Sequence, residues 1–139
     1  MGQKDIIRLA INEEDFFRDF YRAAAAKVGI ASAKELLLKL SKEEKAHKER
    51  LQSYDFRALS LRKPLDLVKP LILTPIDEFT AVRKIFEFAI RSEVLAKNRY
   101  AGLAASVDDE TARWLFNLLS VEEKRHERLL KDELKRLSF

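Results

Sequence analysis

Cysteine is absent from the 139-residue chain, and glycine and proline are scarce, with three of each. Without cysteine the chain can hold no disulfide, no thiolate metal site and no Cys-x-x-Cys electron-transfer module, so redox chemistry here needs an outside electron donor. The three prolines, Pro64, Pro70 and Pro75, fall in one stretch and leave a long uninterrupted block on either side, for which helix is the natural form. No run approaches the ~20 apolar residues of a membrane span, and the start Met1-Gly2-Gln3-Lys4-Asp5 lacks the basic-then-apolar plan of a signal peptide. A cytoplasmic protein is expected. There is no basic tract either: 27 basic and 23 acidic residues are scattered along every segment, which describes solvated helix faces rather than a nucleic-acid footprint.

What is present is apolar periodicity in one domain's length of chain. From Lys4 to Val28 the stripe Ile7, Ile11, Phe17, Tyr21, Ala25, Val28 keeps a three-to-four spacing and includes Glu14. Gly29 is placed to end this helix with a left-handed cap, and Ser32-Ala33-Lys34-Glu35 reads as a capping box for the next. That second helix runs to about Ser53, with Leu36, Leu40, Glu44, His47 and Leu51 on its inner face. Residues 54 to 74 form a connection, after which Thr74 and Pro75 open a third helix to about Ala105 bearing Phe79, Val82, Phe86, Ile90, Glu93, Tyr100 and Val107. A polar turn from Ser106 to Asp109 leads into a fourth, whose inner face carries Phe116, Leu119, Glu123, His126, Leu130 and Leu137. Each stripe is interrupted by carboxylates or histidines alone.

The two histidines belong to a repeat. Ser41-Lys42-Glu43-Glu44-Lys45-Ala46-His47 recurs 79 residues later as Ser120-Val121-Glu122-Glu123-Lys124-Arg125-His126. At the same offset Ile11 matches Ile90, Glu14 matches Glu93, Tyr21 matches Tyr100, Val28 matches Val107, and Leu40 matches Leu119, so the chain is expected to form two related helical hairpins. Glu14 and Glu44 each stand 15 residues from Gly29, roughly 22 Å from the turn at 1.5 Å per residue, and therefore face each other. Glu93 and Glu123 stand likewise about Asp108. Packed with these stripes inward, the hairpins bring four glutamates and two histidines together at mid-bundle. The long connection fits a crossover along the bundle, with a pseudo-two-fold axis through the site and two metal positions, one histidine each.

Two divalent ions would cancel the charge of four carboxylates, and imidazole with carboxylate suits iron or manganese, although zinc would also fit. A Glu-x-x-His on one helix face is commonly a hydrogen-bonded core histidine beside a surface carboxylate paired with Lys48 or an arginine. Two such motifs, two partner glutamates and a common register point instead to a metal site with ligands Glu14, Glu44, His47, Glu93, Glu123 and His126. Tyr21 and Tyr100, the candidate catalytic side chains beside these ligands, lie seven residues past Glu14 and Glu93 on the same faces. They either donate hydrogen bonds to those carboxylates or fill core. Trp114, nine residues before Glu123, points away from the site and is expected at the surface or in a subunit contact.

Glu14 with Tyr21, Glu44-Lys45-Ala46-His47, Glu93 with Tyr100, and Glu123-Lys124-Arg125-His126 together resemble the rubrerythrin-like branch of the ferritin-like superfamily, across nearly the whole chain. The resemblance implies an all-α, ferritin-like four-helix bundle with a long crossover, a di-iron centre, and peroxide reduction or ferroxidase activity, commonly in a homodimer that exchanges helical halves. Full-length rubrerythrins add a Cys-x-x-Cys rubredoxin-like domain and a further carboxylate one turn from the third-helix ligand. Here cysteine is absent, and Ile90 and Ala96 stand at those neighbouring turns. The expected function is peroxide or O2 reduction at two irons with an external electron donor. The alternatives are iron handling and storage, or a metal that only stabilises the bundle.

Overall fold

The computed structural model describes residues 3–54 and 82–137, with side chains from Ile7. Four helices account for nearly all of them: α1 (Gln3–Lys27), α2 (Ala31–Ser53), α3 (Val82–Ser106) and α4 (Glu110–Arg136). α1 packs closely on α2, and α3 on α4, giving the two expected hairpins of an all-α bundle. The hairpins dock so that α1 lies along α3 and α2 along α4, both pairs antiparallel. Tyr21 reaches Glu93 while Tyr100 reaches Glu14, and Ser32 reaches Glu133 while His47 reaches Glu122.

This docking puts the two hairpin turns at opposite ends. Ser32, just past the first turn, donates to Glu133 near the end of α4 at 2.8 Å, and Tyr54, just past α2, donates to Asp109 in the second turn. α2 therefore finishes at the end of the bundle where α3 also finishes, as a crossover requires. The expected connection of residues 54 to 74 lies outside the described residues from residue 55 on, as do the Thr74-Pro75 helix start and Phe79.

Two apolar clusters hold the bundle together by removing large side chains from water, each about 1.5–3 kcal/mol of transfer free energy when fully buried. One gathers Phe17, Tyr21, Leu37, Leu40, Ile85, Phe86 and Leu130, the other Ile7, Leu51, Tyr100, Leu103, Leu115, Phe116 and Leu119. Because Glu14, Glu44, Glu93 and Glu123 fall between these stretches on every helix, the polar centre is closed by apolar side chains toward both ends. The buried faces are wider than the expected stripes. Leu37 rather than Leu36 is fully buried on α2, and Ile11, Ile90 and Leu137 are only partly covered.

Local signals were obeyed unevenly. Asp109 caps α4, its carboxylate accepting from the Ala112 N–H at 2.8 Å, which satisfies one of the four amides a helix start leaves free. Gly29 does not adopt the expected left-handed backbone. Nor does the Ser32–Glu35 capping box form: α2 starts at Ala31, and its cap residue, Ile30, offers no side-chain acceptor. Ser32 Oγ is instead engaged by Glu133 and Arg136 of the other hairpin.

Candidate metal centre

Helical spacing places Glu44 beside His47 on α2 and Glu123 beside His126 on α4, while α1 and α3 present one carboxylate each, Glu14 and Glu93. All six residues are at most 1 % exposed, which removes the alternative of a surface carboxylate pairing with Lys48. That lysine binds Asp15 at 2.8 Å instead. Four carboxylates inside a bundle carry a desolvation penalty of several kcal/mol per ion unless cations answer them.

Their donor atoms converge. His47 Nδ1 lies 3.0 Å from Glu123, 3.5 Å from Glu14 and 3.8 Å from Glu44. His126 Nδ1 lies 2.8 Å from Glu44, 3.4 Å from Glu93 and 3.5 Å from Glu123. Each imidazole is thus nearest the glutamate of the opposite hairpin, and the two rings are nearly parallel with centroids 5.6 Å apart. Two groups of four emerge, Glu14–Glu44–His47–Glu123 and Glu44–Glu93–Glu123–His126, each with ligand atoms all within 4.8 Å of one another. Glu44 and Glu123 belong to both.

The set fits a metal better than it fits itself. Both oxygens of Glu44 and of Glu123, Oε2 of Glu14 and of Glu93, and Nδ1 of both histidines are buried without a hydrogen-bond partner. Short distances without hydrogen-bond geometry mean that the atoms aim at common points between them. Ligands about 2.1 Å from a divalent ion at right angles lie about 3 Å apart, close to the spacings here. The buried His and Glu groups could therefore hold a metal ion.

The electrostatics agree. Burial, reinforced by the charges of Glu123 and Glu14, pushes the Glu44 carboxyl well above the usual range, and burial with the Glu123 charge pushes Glu93 up to about 8. Burial also works on Glu123, but the adjoining His47 imidazole and the charges of both imidazolium rings prevail and hold it down at about 2. For His47, burial opposes the charged form, and the adjoining carboxylates of Glu122, Glu123, Glu14 and Glu44 outweigh it and raise the pKa. His126 behaves likewise through Glu43, Glu44 and Glu93.

Surrounding side chains orient the ligands. Tyr21 donates to Glu93 at 2.5 Å and Tyr100 donates to Glu14. The sequence left each phenol either donating to the glutamate of its own helix or filling core, and each instead serves the glutamate of the other hairpin. Trp114 is 64 % exposed, on the outside as expected.

Two further pairs of residues escaped the sequence, Glu122 with Glu43 and Glu13 with Arg99. Glu122 hydrogen-bonds His47 Nε2, and Glu43 lies 3.7 Å from His126 Nε2. Arg125 in turn pairs with Glu43, and Arg50 lies 3.8 Å from Glu122. The signal was the Glu-Glu doublet present in both copies of the repeat. Glu13 and Arg99 form the other pair, a buried ion pair between α1 and α3, and nothing in the periodicity marks it.

No protein-family model matches the sequence, and no curated protein matches it. Among solved structures, a hypothetical protein from Pyrococcus furiosus is similar, with a TM-score of 0.79 and 26 % identity over 97 % of this chain and 89 % of that one. Among the described residues, no helix is long and apolar enough to cross a membrane.

Proposed function

We propose that the chain is a rubrerythrin-type oxidoreductase that binds two iron or manganese ions and reduces peroxide or O2 with electrons from an external donor. The observation that carries this is the sharing of Glu44 and Glu123 between the two four-residue ligand groups. Two cations roughly 3.5–4 Å apart, as two-metal sites require, need carboxylates common to both. Glu44 and Glu123 would bridge, Glu14 and Glu93 would be terminal ligands, and His47 and His126 would bind one ion each. The charge of two divalent ions answers the four glutamates.

When bound, such a pair supplies two electrons at one place, which suits cleavage of an O–O bond. The chain's own groups prepare the site. Tyr21 and Tyr100 hold the terminal carboxylates, Glu122 and Glu43 face the imidazole Nε2 atoms so that Nδ1 is turned inward, and the two apolar clusters exclude water. These 139 residues hold no cysteine, and the electrons in this reading are supplied from outside them.

Metal analysis with an anaerobic peroxide assay tests the proposal. The protein purified with iron is expected to hold about two ions per chain, to be reoxidised by peroxide, and to turn over with a chemical reductant. Loaded protein that peroxide does not reoxidise would be a bundle with a structural metal. Hollow assemblies that accumulate many irons per chain would make it a storage protein.

A further inference from the structure

The 79-residue repeat preserves every candidate ligand, but it fails at one buried pair beside them. Glu13 and Arg99 are 4 % and 7 % exposed and ion-paired. The Arg99 guanidinium stands 5.1 Å from the centroid of the Tyr100 ring, and Tyr100 is the donor to Glu14. At the matching positions of the other half the chain has Ser92 and Phe20. Ser92 donates to the Phe88 carbonyl of its own helix, and the Phe20 ring meets Tyr21 edge-on at 5.5 Å. One of the two phenols that hold a terminal glutamate therefore lies under a cation, and the other lies against a neutral ring.

A cation over the face of a phenol draws electron density from it and makes its O–H a stronger donor. The glutamate that accepts this hydrogen bond has less charge to offer a metal. The guanidinium is also a fixed positive charge on the Glu14 side, and at low local dielectric it opposes a second cation there. Glu13 balances the pair's net charge, but Arg99 is the member that touches Tyr100.

We infer that Arg99 and Glu13 make the halves of the centre unequal, so that the Glu93–His126 half takes its ion more tightly than the Glu14–His47 half and the two positions fill in that order. This order presupposes the two-metal centre proposed above. Arg99 is a positioning residue in it, acting through Tyr100.

Calorimetric titration with Mn(II) alone tests the inference. His47→Ala leaves the Glu93–His126 half intact, and His126→Ala leaves the Glu14–His47 half. The first variant is expected to bind one Mn(II) roughly tenfold more tightly than the second. In a Glu13→Ser/Arg99→Phe background, which copies the residues of the other half, the difference is expected to vanish, an effect that lost folding stability alone would not produce. Equal affinities or the reverse order overturn the inference, as does a difference that survives in the symmetrised background. The comparison of the two histidine variants decides the inequality even where the symmetrised chain does not fold. Uptake of no Mn(II), or of only one ion, by the unaltered protein overturns the two-metal proposal itself.

Discussion

At His47 the two ring nitrogens have different partners, Nε2 held by Glu122 and Nδ1 turned to the cluster of Glu14, Glu44 and Glu123. Fixing one nitrogen decides which is free to bind a metal. Glu122→Ala is expected to weaken metal affinity by about 10- to 100-fold, and Glu43→Ala by less, because its contact to His126 Nε2 is longer at 3.7 Å. Competition against a chelator with a known constant would measure both. His47→Ala and His126→Ala should each impair loading while the helical circular dichroism persists, since the apolar clusters remain whole; unfolding of either variant would return the histidine to a core role. The pH dependence has a definite sign. Glu93 is raised from 4.5 to about 8, and Glu44 moves the same way, so between these limits the fold keeps a proton that the unfolded chain gives up. That contribution stabilises the apoprotein at low pH and is lost as pH rises through about 8. Metal binding needs the deprotonated ligands and strengthens over the same interval. The melting temperature of loaded protein minus that of chelator-treated protein should therefore widen from about pH 5 to pH 8. A flat difference would remove Glu93 and Glu44 from the ligand set.

At the scale of the element, helix ends and one helical glycine are open to test. Asp109 accepts from both the Ala112 amide and the Tyr54 hydroxyl, so Asp109→Ala should move the midpoint of urea unfolding to lower urea, and an unchanged midpoint would mean that the cap does not hold the start of α4. Gly102 lies inside α3 with nothing within 4 Å of an added Cβ. Gly102→Ala should stabilise the protein by about 0.5–1 kcal/mol through helix propensity, and a loss instead would mean that α3 is packed at this point by something beyond the described residues. The two helix starts show what local sequence can decide. Asp109 stands where a cap is needed, and it caps although the Tyr54 hydroxyl donates to the same carboxylate oxygen. Ser32 had the correct pattern too, but Glu133 and Arg136 of the docked hairpin engage its hydroxyl, and the local motif yields.

For the whole molecule, each hairpin exposes a wide apolar face that must be covered, and the covering hairpin can come from the same chain or from a second copy with nearly identical contacts. Phe16 and Leu95, matching positions of the repeat, remain 54 % and 45 % exposed, and Trp114 is 64 % exposed. We expect a homodimer, helix-swapped where hairpins exchange, with a light-scattering mass about twice the 16.2 kDa of the chain. A monomer mass at micromolar concentration would rule it out.

Sequence by itself determined the features that are periodic along one chain. Helical spacing joins Glu44 to His47 and Glu123 to His126, equal arms from each turn set the carboxylates level, and the offset of 79 repeats the plan. Tertiary structure alone decided what happens between hairpins. The exchange of tyrosines, by which Tyr21 serves Glu93 and Tyr100 serves Glu14, depends on how antiparallel helices slide against each other. So does the turning of Glu122 and Glu43 to the opposite histidines. The Glu13–Arg99 pair was the least legible, because two charges look solvated on a helical wheel until a neighbouring helix covers them. Lateral packing between helices is fixed by the fit of many side chains from separate segments, and no spacing within a single segment encodes it.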